Sequence, residues 1–351
     1  MRVVVEATLF TLTSGGLARY TSELSLALAR CFPADDFFLA SDQPFSMPAG
    51  APPNLRRAGA PRGALEHRWW LFGLSREAAR LGANVIHGPD FAVPYLARHP
   101  SVLTLHDLSP WMNPAWHHSA DRVRRRTPLL LKSGIATMVI APSESVRKQA
   151  IDRFGLHPAR IVAVPEAAAP WMLPTPAQPP DPPYYLFTGT IEPRKNLPAL
   201  IEAWREVRRR HPVDLVIAGR RRADAPPIAD EPGLRYLGEV PDAQLPALYS
   251  GALAFVYPSL YEGFGLPVLE AMQCGACVIA SPAVTETGGD AAVYAATIAD
   301  LAHAMREAAD NAAWLLDRRA RSLARAREFS WDRTARLTYQ VYEEARRRFG
   351  N

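Results

Sequence analysis

Pro258-Ser259-Leu260-Tyr261-Glu262-Gly263-Phe264-Gly265-Leu266-Pro267-Val268-Leu269-Glu270-Ala271-Met272 is the stretch on which the fold turns. An apolar run, Leu253–Tyr257, precedes it and reads as a strand. Proline at position 267 suits the first turn of a helix, so the segment is a strand, a glycine-rich turn and a helix. Two glutamates, Glu262 and Glu270, sit eight positions apart across that turn. Amides of Gly263, Phe264, Gly265 and Leu266 at a helix N-terminus can bind an anion or the oxygens of a sugar. Glu270, one turn inside the helix, can accept hydrogen bonds from a ribose diol, and Glu262 precedes the turn within reach of the sugar itself. Two glutamates alone would read as solvated side chains on a strand–helix connection; the whole string is more specific than that.

Working outward, the same alternation recurs on both sides. Val3–Val5, Asn84–His87, Ser101–Leu105 and Met138–Ala141 read as short strands. Leu17–Arg30 and a helix from Ser143 to about Phe154 read as helices, with Ser143 as N-cap. Beyond position 183, strands are expected at Tyr184–Thr188, Asp214–Ala218 and Val278–Ala280, and a helix at Leu197–His211. Strand runs rich in β-branched residues with little alternation fit parallel sheets covered on both faces. Between Pro165 and Pro183, eight of nineteen residues are proline, which neither a helix nor a central strand accommodates. The expectation is an α/β chain of two Rossmann-like domains: residues 1–165, a linker at 166–183, residues 184–330, and a basic amphipathic helix at 331–351. Ligands of such sheets bind outside the strand carboxyl ends, so a crevice between two domains is the expected site.

This pattern resembles the Glu-x7-Glu signature of retaining nucleotide-sugar glycosyltransferases of the GT-B fold, in particular glycosyltransferase family 4. The resemblance runs over nearly the whole chain and is strongest from about Thr188 to Glu286. It gives Thr188-Gly189-Thr190-Ile191-Glu192-Pro193-Arg194-Lys195-Asn196-Leu197 a role. Adjacent cations, a planar fork and a point charge, suit a diphosphate. In the family such a pair neutralises the leaving pyrophosphate in place of a metal. Gly189 and Thr190 then line the donor, with Gly238-Glu239-Val240 near the base. Gly15 and Gly16, ahead of the first helix, match glycines close to the donor phosphate and acceptor. His106, at the end of a strand, matches a functional histidine and is expected beside the reacting sugar, oriented by Asp107; His87 is a candidate on the acceptor side. By the same resemblance the C-terminal helix crosses back onto the N-terminal domain.

The catalytic set implied is therefore Arg194, Lys195, Glu262 and His106, with no metal and no other cofactor. No Asp-x-Asp occurs anywhere in the chain, and no Cys/His cluster has zinc spacing. The His-Asp-Leu and His-Gly-Pro contexts look like bacterial mannosyl- or rhamnosyltransferases of surface-polysaccharide assembly, which makes GDP-mannose the first donor to test. The acceptor is then a glycan or lipid-linked glycan. A different GT-B nucleotide-sugar enzyme and a non-catalytic nucleotide-sugar binder are the alternatives; a nicotinamide-dependent oxidoreductase is disfavoured, since no Gly-x-Gly-x-x-Gly follows the first strand.

Composition agrees with a globular protein: 351 residues, 48% hydrophobic and 21% charged. A net charge of +5 suits anionic ligands without requiring a nucleic acid partner. Three cysteines, Cys31, Cys274 and Cys277, argue against a disulfide framework and for a reducing, cytoplasmic compartment. Cys274-Gly275-Ala276-Cys277 reads as packing, with Gly275 capping the helix. No apolar run approaches the ~20 residues of a membrane-spanning helix. Arg122-Val123-Arg124-Arg125-Arg126, followed by Pro128–Leu131, reads first as a solvated basic face and second as a peripheral dock on anionic membrane.

Overall fold

The computed structural model describes residues 1–11, 15–117, 120–176 and 180–349. The chain forms two compact units, one of residues 1–166 and 330–351, the other of residues 167–329.

Unit 1 is built on seven parallel strands: β1 (Arg2–Glu6), β2 (Asp36–Ala40), β3 (Leu55–Arg57), β4 (Val85–Gly88), β5 (Ser101–Thr104), β6 (Met138–Ala141) and β7 (Ile161–Ala163), in the order β3-β2-β1-β4-β5-β6-β7. Every residue of β4, β5 and β6 is buried, the mark of a parallel sheet covered on both faces. Unit 2 repeats the plan with β8 (Tyr184–Thr188), β9 (Asp214–Ala218), β10 (Leu234–Gly238), β11 (Ala254–Tyr257), β12 (Val278–Ala280) and β13 (Val293–Tyr294), in the order β10-β9-β8-β11-β12-β13.

Each sheet reverses its strand order once, between β1 and β4 in unit 1 and between β8 and β11 in unit 2. At such a point the following loops diverge to opposite faces and leave a crevice outside the strand ends, where ligands of open α/β sheets bind. The loops after β8 and β11 are the two motifs singled out above.

Helix Trp331–Arg348 belongs to unit 1. It packs on helix Gly16–Cys31 and stacks Tyr339 on Phe32 at 3.7 Å, while Thr334 Oγ1 donates to the Pro165 carbonyl at 2.7 Å. Within the proline-rich stretch, Ala168, Ala169 and Met172 are buried in the core of unit 2. Among the described residues no helix is long and apolar enough to cross a membrane.

Candidate active site

The loop after β8 starts at Gly189, whose φ of +132° suits glycine and above which no atom would meet a Cβ. After Thr190, half-buried, the chain makes a single turn at Pro193–Lys195. Asn196 then takes a left-handed φ of +53°, and a helix begins at Leu197-Pro198. That reversal turns Arg194 and Lys195 inward. Both are buried, at 8% and 6% exposure.

Buried cations need counter-ions, and the loop after β11 brings one. Lys195 Nζ donates to Glu262 Oε1 at 2.6 Å and to the Tyr257 hydroxyl. Arg194 Nη1 donates to the Tyr261 carbonyl at 2.5 Å and lies 3.1 Å from Glu262 Oε2. Its Nε and Nη2 reach Glu192 Oε1 at 3.1 and 2.8 Å. The other Glu192 oxygen binds Arg222, which also pairs with Asp224 at 2.6 Å. Three cations thus face three carboxylates. Burial works to raise the Glu262 carboxyl, but Arg194 and Lys195 outweigh it and hold it at about 2. Burial, reinforced by Arg194, moves the Lys195 ammonium below the ordinary lysine range, against the pull of Glu262. The expected cation pair is present, and Glu262 is its partner.

Gly263 and Phe264 are buried, and Gly265 holds φ at +97°, where a Cβ would fall 2.8 Å from Val284 Cγ1. The helix runs Leu266–Gln273, and Gly265 supplies no side-chain cap to its first amides. Glu270 is buried and accepts from the Tyr249 hydroxyl at 3.2 Å. Tyr249 in turn lies 2.7 Å from Thr188 Oγ1 at the end of β8. Val240 packs against the edge of this core, beyond the Gly238 carbonyl that receives Gly219 N at 2.7 Å.

In unit 1 the histidines differ from expectation. His87 is fully buried in β4; its Nδ1 meets Tyr342 of the C-terminal helix and its Nε2 meets Thr104, both at 2.8 Å. Burial, together with the nearby His106, lowers it to about 3. It is a neutral core histidine that ties the C-terminal helix to the sheet, so the acceptor-side assignment is withdrawn for it. His106 Nε2 lies 2.7 Å from the Pro89 carbonyl and Nδ1 3.1 Å from Glu166 Oε1. Both partners are acceptors, so both nitrogens are placed to donate, an arrangement that favours the charged ring. Burial opposes that charge, yet Glu166 and Asp90 raise its pKa overall. Neither nitrogen is left over for a sugar hydroxyl here. Asp107 does not orient it: Asp107 Oδ1 accepts from Ser109 N at 2.8 Å and Ser109 Oγ at 2.6 Å, capping the next turn. Gly15, with φ +122°, precedes the helix that Gly16 begins; residues 12–14 of that loop lie outside the described residues.

Comparison with known proteins now bears on these two sites. The "Glycosyltransferase Family 4" profile matches residues 14–168, and "Glycosyl transferases group 1" matches residues 182–311. The chain is 36% identical over 286 residues to the O-antigen chain mannosyltransferase B of Escherichia coli, covering 74% of each protein. The chain belongs to glycosyltransferase family 4. A D-inositol 3-phosphate glycosyltransferase of Kineococcus radiotolerans is 30% identical over 250 residues, covering 60% of this chain and 58% of that protein. Among solved structures, sucrose-phosphate synthase of Thermosynechococcus elongatus matches 98% of both chains with a TM-score of 0.76 at 20% identity. Anabaena HepE in complex with UDP-glucose matches 98% of this chain and 100% of its own with 0.71 at 15% identity. The family 4 transferase thus has the GT-B fold.

Within this transferase, the structure brings Arg194, Lys195 and Glu262 into one cluster and carries Glu270, bonded to Tyr249, on the helix that follows Glu262. His106 stands in unit 1 and His87 in that unit's core. Sequence reasoning missed Glu192, Arg222, Tyr257 and Glu166. Glu192 lay inside the quoted motif and was legible as the nearest carboxylate to Arg194. Arg222 arrives through the β9–β10 connection and Glu166 sits among prolines, so neither carried a local signal.

Proposed function

We propose that this enzyme transfers a hexose, with mannose from GDP-mannose the first choice, to a saccharide or lipid-linked saccharide in surface-glycan synthesis, with retention at the anomeric carbon and without a metal. The observation that carries the reading is the buried Arg194–Lys195–Glu262 cluster at the strand-order reversal of unit 2. Mannose as the sugar is supported by the O-antigen mannosyltransferase relative.

In this mechanism the donor diphosphate takes over the cations from Glu262, whose oxygens are released toward the sugar. As the sugar–phosphate bond loosens, negative charge grows on the leaving diphosphate. Arg194 and Lys195, already oriented by Glu192 and Tyr257, meet it with little reorganisation. The acceptor hydroxyl attacks the anomeric carbon on the face the phosphate leaves, and the leaving phosphate oxygen takes its proton. Glu270, held by Tyr249, binds the ribose hydroxyls. His106 can bind a sugar hydroxyl only if one of its two internal bonds, to Pro89 or Glu166, yields.

Thermal-shift measurements with GDP, UDP, ADP and dTDP in excess chelator test the reading. GDP should raise the melting temperature most. No shift with any of the four would refute it.

A further inference from the structure

Thr137 directly precedes β6 and Arg160 directly precedes β7, so both stand at the amino ends of the unit 1 strands. Helix Trp331–Arg348 packs beside β6. Between its last turns and that edge of the sheet lies a pocket of about 510 Å³, lined by Gly134, Thr137, Arg160, Glu344, Arg347 and Arg348. Substrates of open α/β sheets belong to the carboxyl ends of the strands, so this pocket is separate from the transfer chemistry.

Its lining sets three guanidinium groups against the single carboxylate of Glu344, two positive charges in excess. Arg160 is half-buried and fixed by neutral partners. Its Nη2 donates to the Leu131 and Ala136 carbonyls at 3.0 and 2.6 Å, which orient the guanidinium without cancelling its charge. Burial lowers the pKa of Arg160 from its ordinary range, and repulsion from Arg348 adds to the fall. Arg347 and Arg348 bond Glu344 one turn back, Arg347 Nε at 2.9 Å from Oε2. The Arg347 side chain is 74% exposed and that of Arg348 35%. Ion pairs so open to water are worth little, so a stronger anion can take these arginines from Glu344. Phosphate is such an anion: it carries more charge than a carboxylate and matches the planar fork of a guanidinium bidentately.

We propose that this pocket is a second anion site, binding the phosphate group of a phosphate ester between Arg160, Arg347 and Arg348. A soluble phosphate ester and the headgroup of an anionic lipid share that chemistry.

The test uses the full chain at low ionic strength with two probes. Calorimetry follows glycerol 3-phosphate in solution, and co-sedimentation follows phosphatidylcholine vesicles containing phosphatidic acid. Wild type is compared with Arg348→Gln, Glu344→Gln and Arg336→Gln, the last removing an exposed arginine of the same helix outside the pocket. The Arg194–Lys195 cluster is intact in every variant, so differences among them read this pocket. Arg348→Gln should bind roughly ten-fold more weakly, as for a lost bond to a charged group. Glu344→Gln should bind more tightly, by up to about five-fold, because the competing carboxylate is gone. Arg336→Gln should match wild type. Opposite signs at neighbouring positions are an outcome that damage to the fold does not produce. This pattern with glycerol 3-phosphate assigns the site to soluble phosphate esters; the pattern on vesicles alone assigns it to a lipid headgroup. A wild type that binds neither probe overturns the proposal, as does a loss in Arg348→Gln no greater than in Arg336→Gln, or weaker binding by Glu344→Gln.

Discussion

Glu262→Gln separates the two partners the cations of unit 2 can have. The Glu262 carboxyl lies at about 2 against an ordinary 4.5, and its side chain is only 9% exposed, so solvent screening is weak. A fall of that size corresponds to about 3 kcal/mol of stabilisation, close to the ~3–5 kcal/mol of a broken buried ion pair. Because the folded-state value is depressed, the contribution is present above the ordinary 4.5 and lost as pH falls toward 2. In a unit of this size each kcal/mol moves the melting temperature by roughly 2–4 °C. At neutral pH the variant should therefore melt roughly 6–12 °C below wild type, and the gap should close in acid. The variant leaves Arg194 and Lys195 without that carboxylate, so GDP should shift its melting temperature more than it shifts wild type, while sugar transfer falls. Differential scanning calorimetry with and without GDP reads both effects. Equal melting temperatures together with equal GDP shifts would refute the idea that Glu262 stands where the diphosphate goes.

Three other outcomes follow from the same geometry. Tyr249→Phe removes the hydroxyl that steadies Glu270 and should raise the donor KM several-fold with little change in kcat, as expected for about 1 kcal/mol of lost hydrogen bonding; an unchanged KM argues against Glu270 as the ribose ligand. Glu166→Gln should lower the pKa of His106, read from its ring-proton NMR titration. Since the folded-state value is raised in wild type, the stabilisation holds below the ordinary 6.5 and fades as pH rises through the folded value, and the variant should show less of that fade. On helix Asp121–Lys132, Arg122 and Arg125 are exposed and Leu129 is 67% exposed, whereas Arg124 and Arg126 are held by Pro110 and Tyr95. Arg122→Ala with Arg125→Ala should weaken low-salt co-sedimentation with anionic vesicles by about 1 kcal/mol per arginine; a wild type that stays in the supernatant ends the membrane reading.

Much of this architecture was legible in the chain. Strands such as Met138–Ala141 and Tyr184–Thr188 announce themselves because a doubly covered parallel strand has no polar face to interrupt it. Five strands were passed over: Asp36–Ala40, Ile161–Ala163 and Val293–Tyr294, which are short apolar runs with no motif beside them, and Leu55–Arg57 and Leu234–Gly238, which lie at sheet edges and show arginine and tyrosine to solvent. The unit 2 cluster could be read because its two loops carry the chemistry in contiguous motifs. The pairing across the two loops could not, since nothing local says that Lys195 and Glu262, 67 positions apart, share a bond. The unit 1 histidines show the opposite failure. Both end strands and both looked available, yet Tyr342, from the far end of the chain, closes over His87, and Glu166, hidden among prolines, takes the hydrogen bond once assigned to Asp107.

The central claim is that fixed side-chain charge, with no metal ion, receives the departing diphosphate. It is tested most directly by following transfer of labelled mannose from GDP-mannose in excess chelator, for wild type and for Lys195→Met, with circular dichroism to show that both are folded. The account predicts full wild-type turnover under chelation and a loss of at least ~10²-fold in the variant. Turnover abolished by chelator and restored by magnesium or manganese, or a Lys195→Met enzyme that works at the wild-type rate, would contradict it.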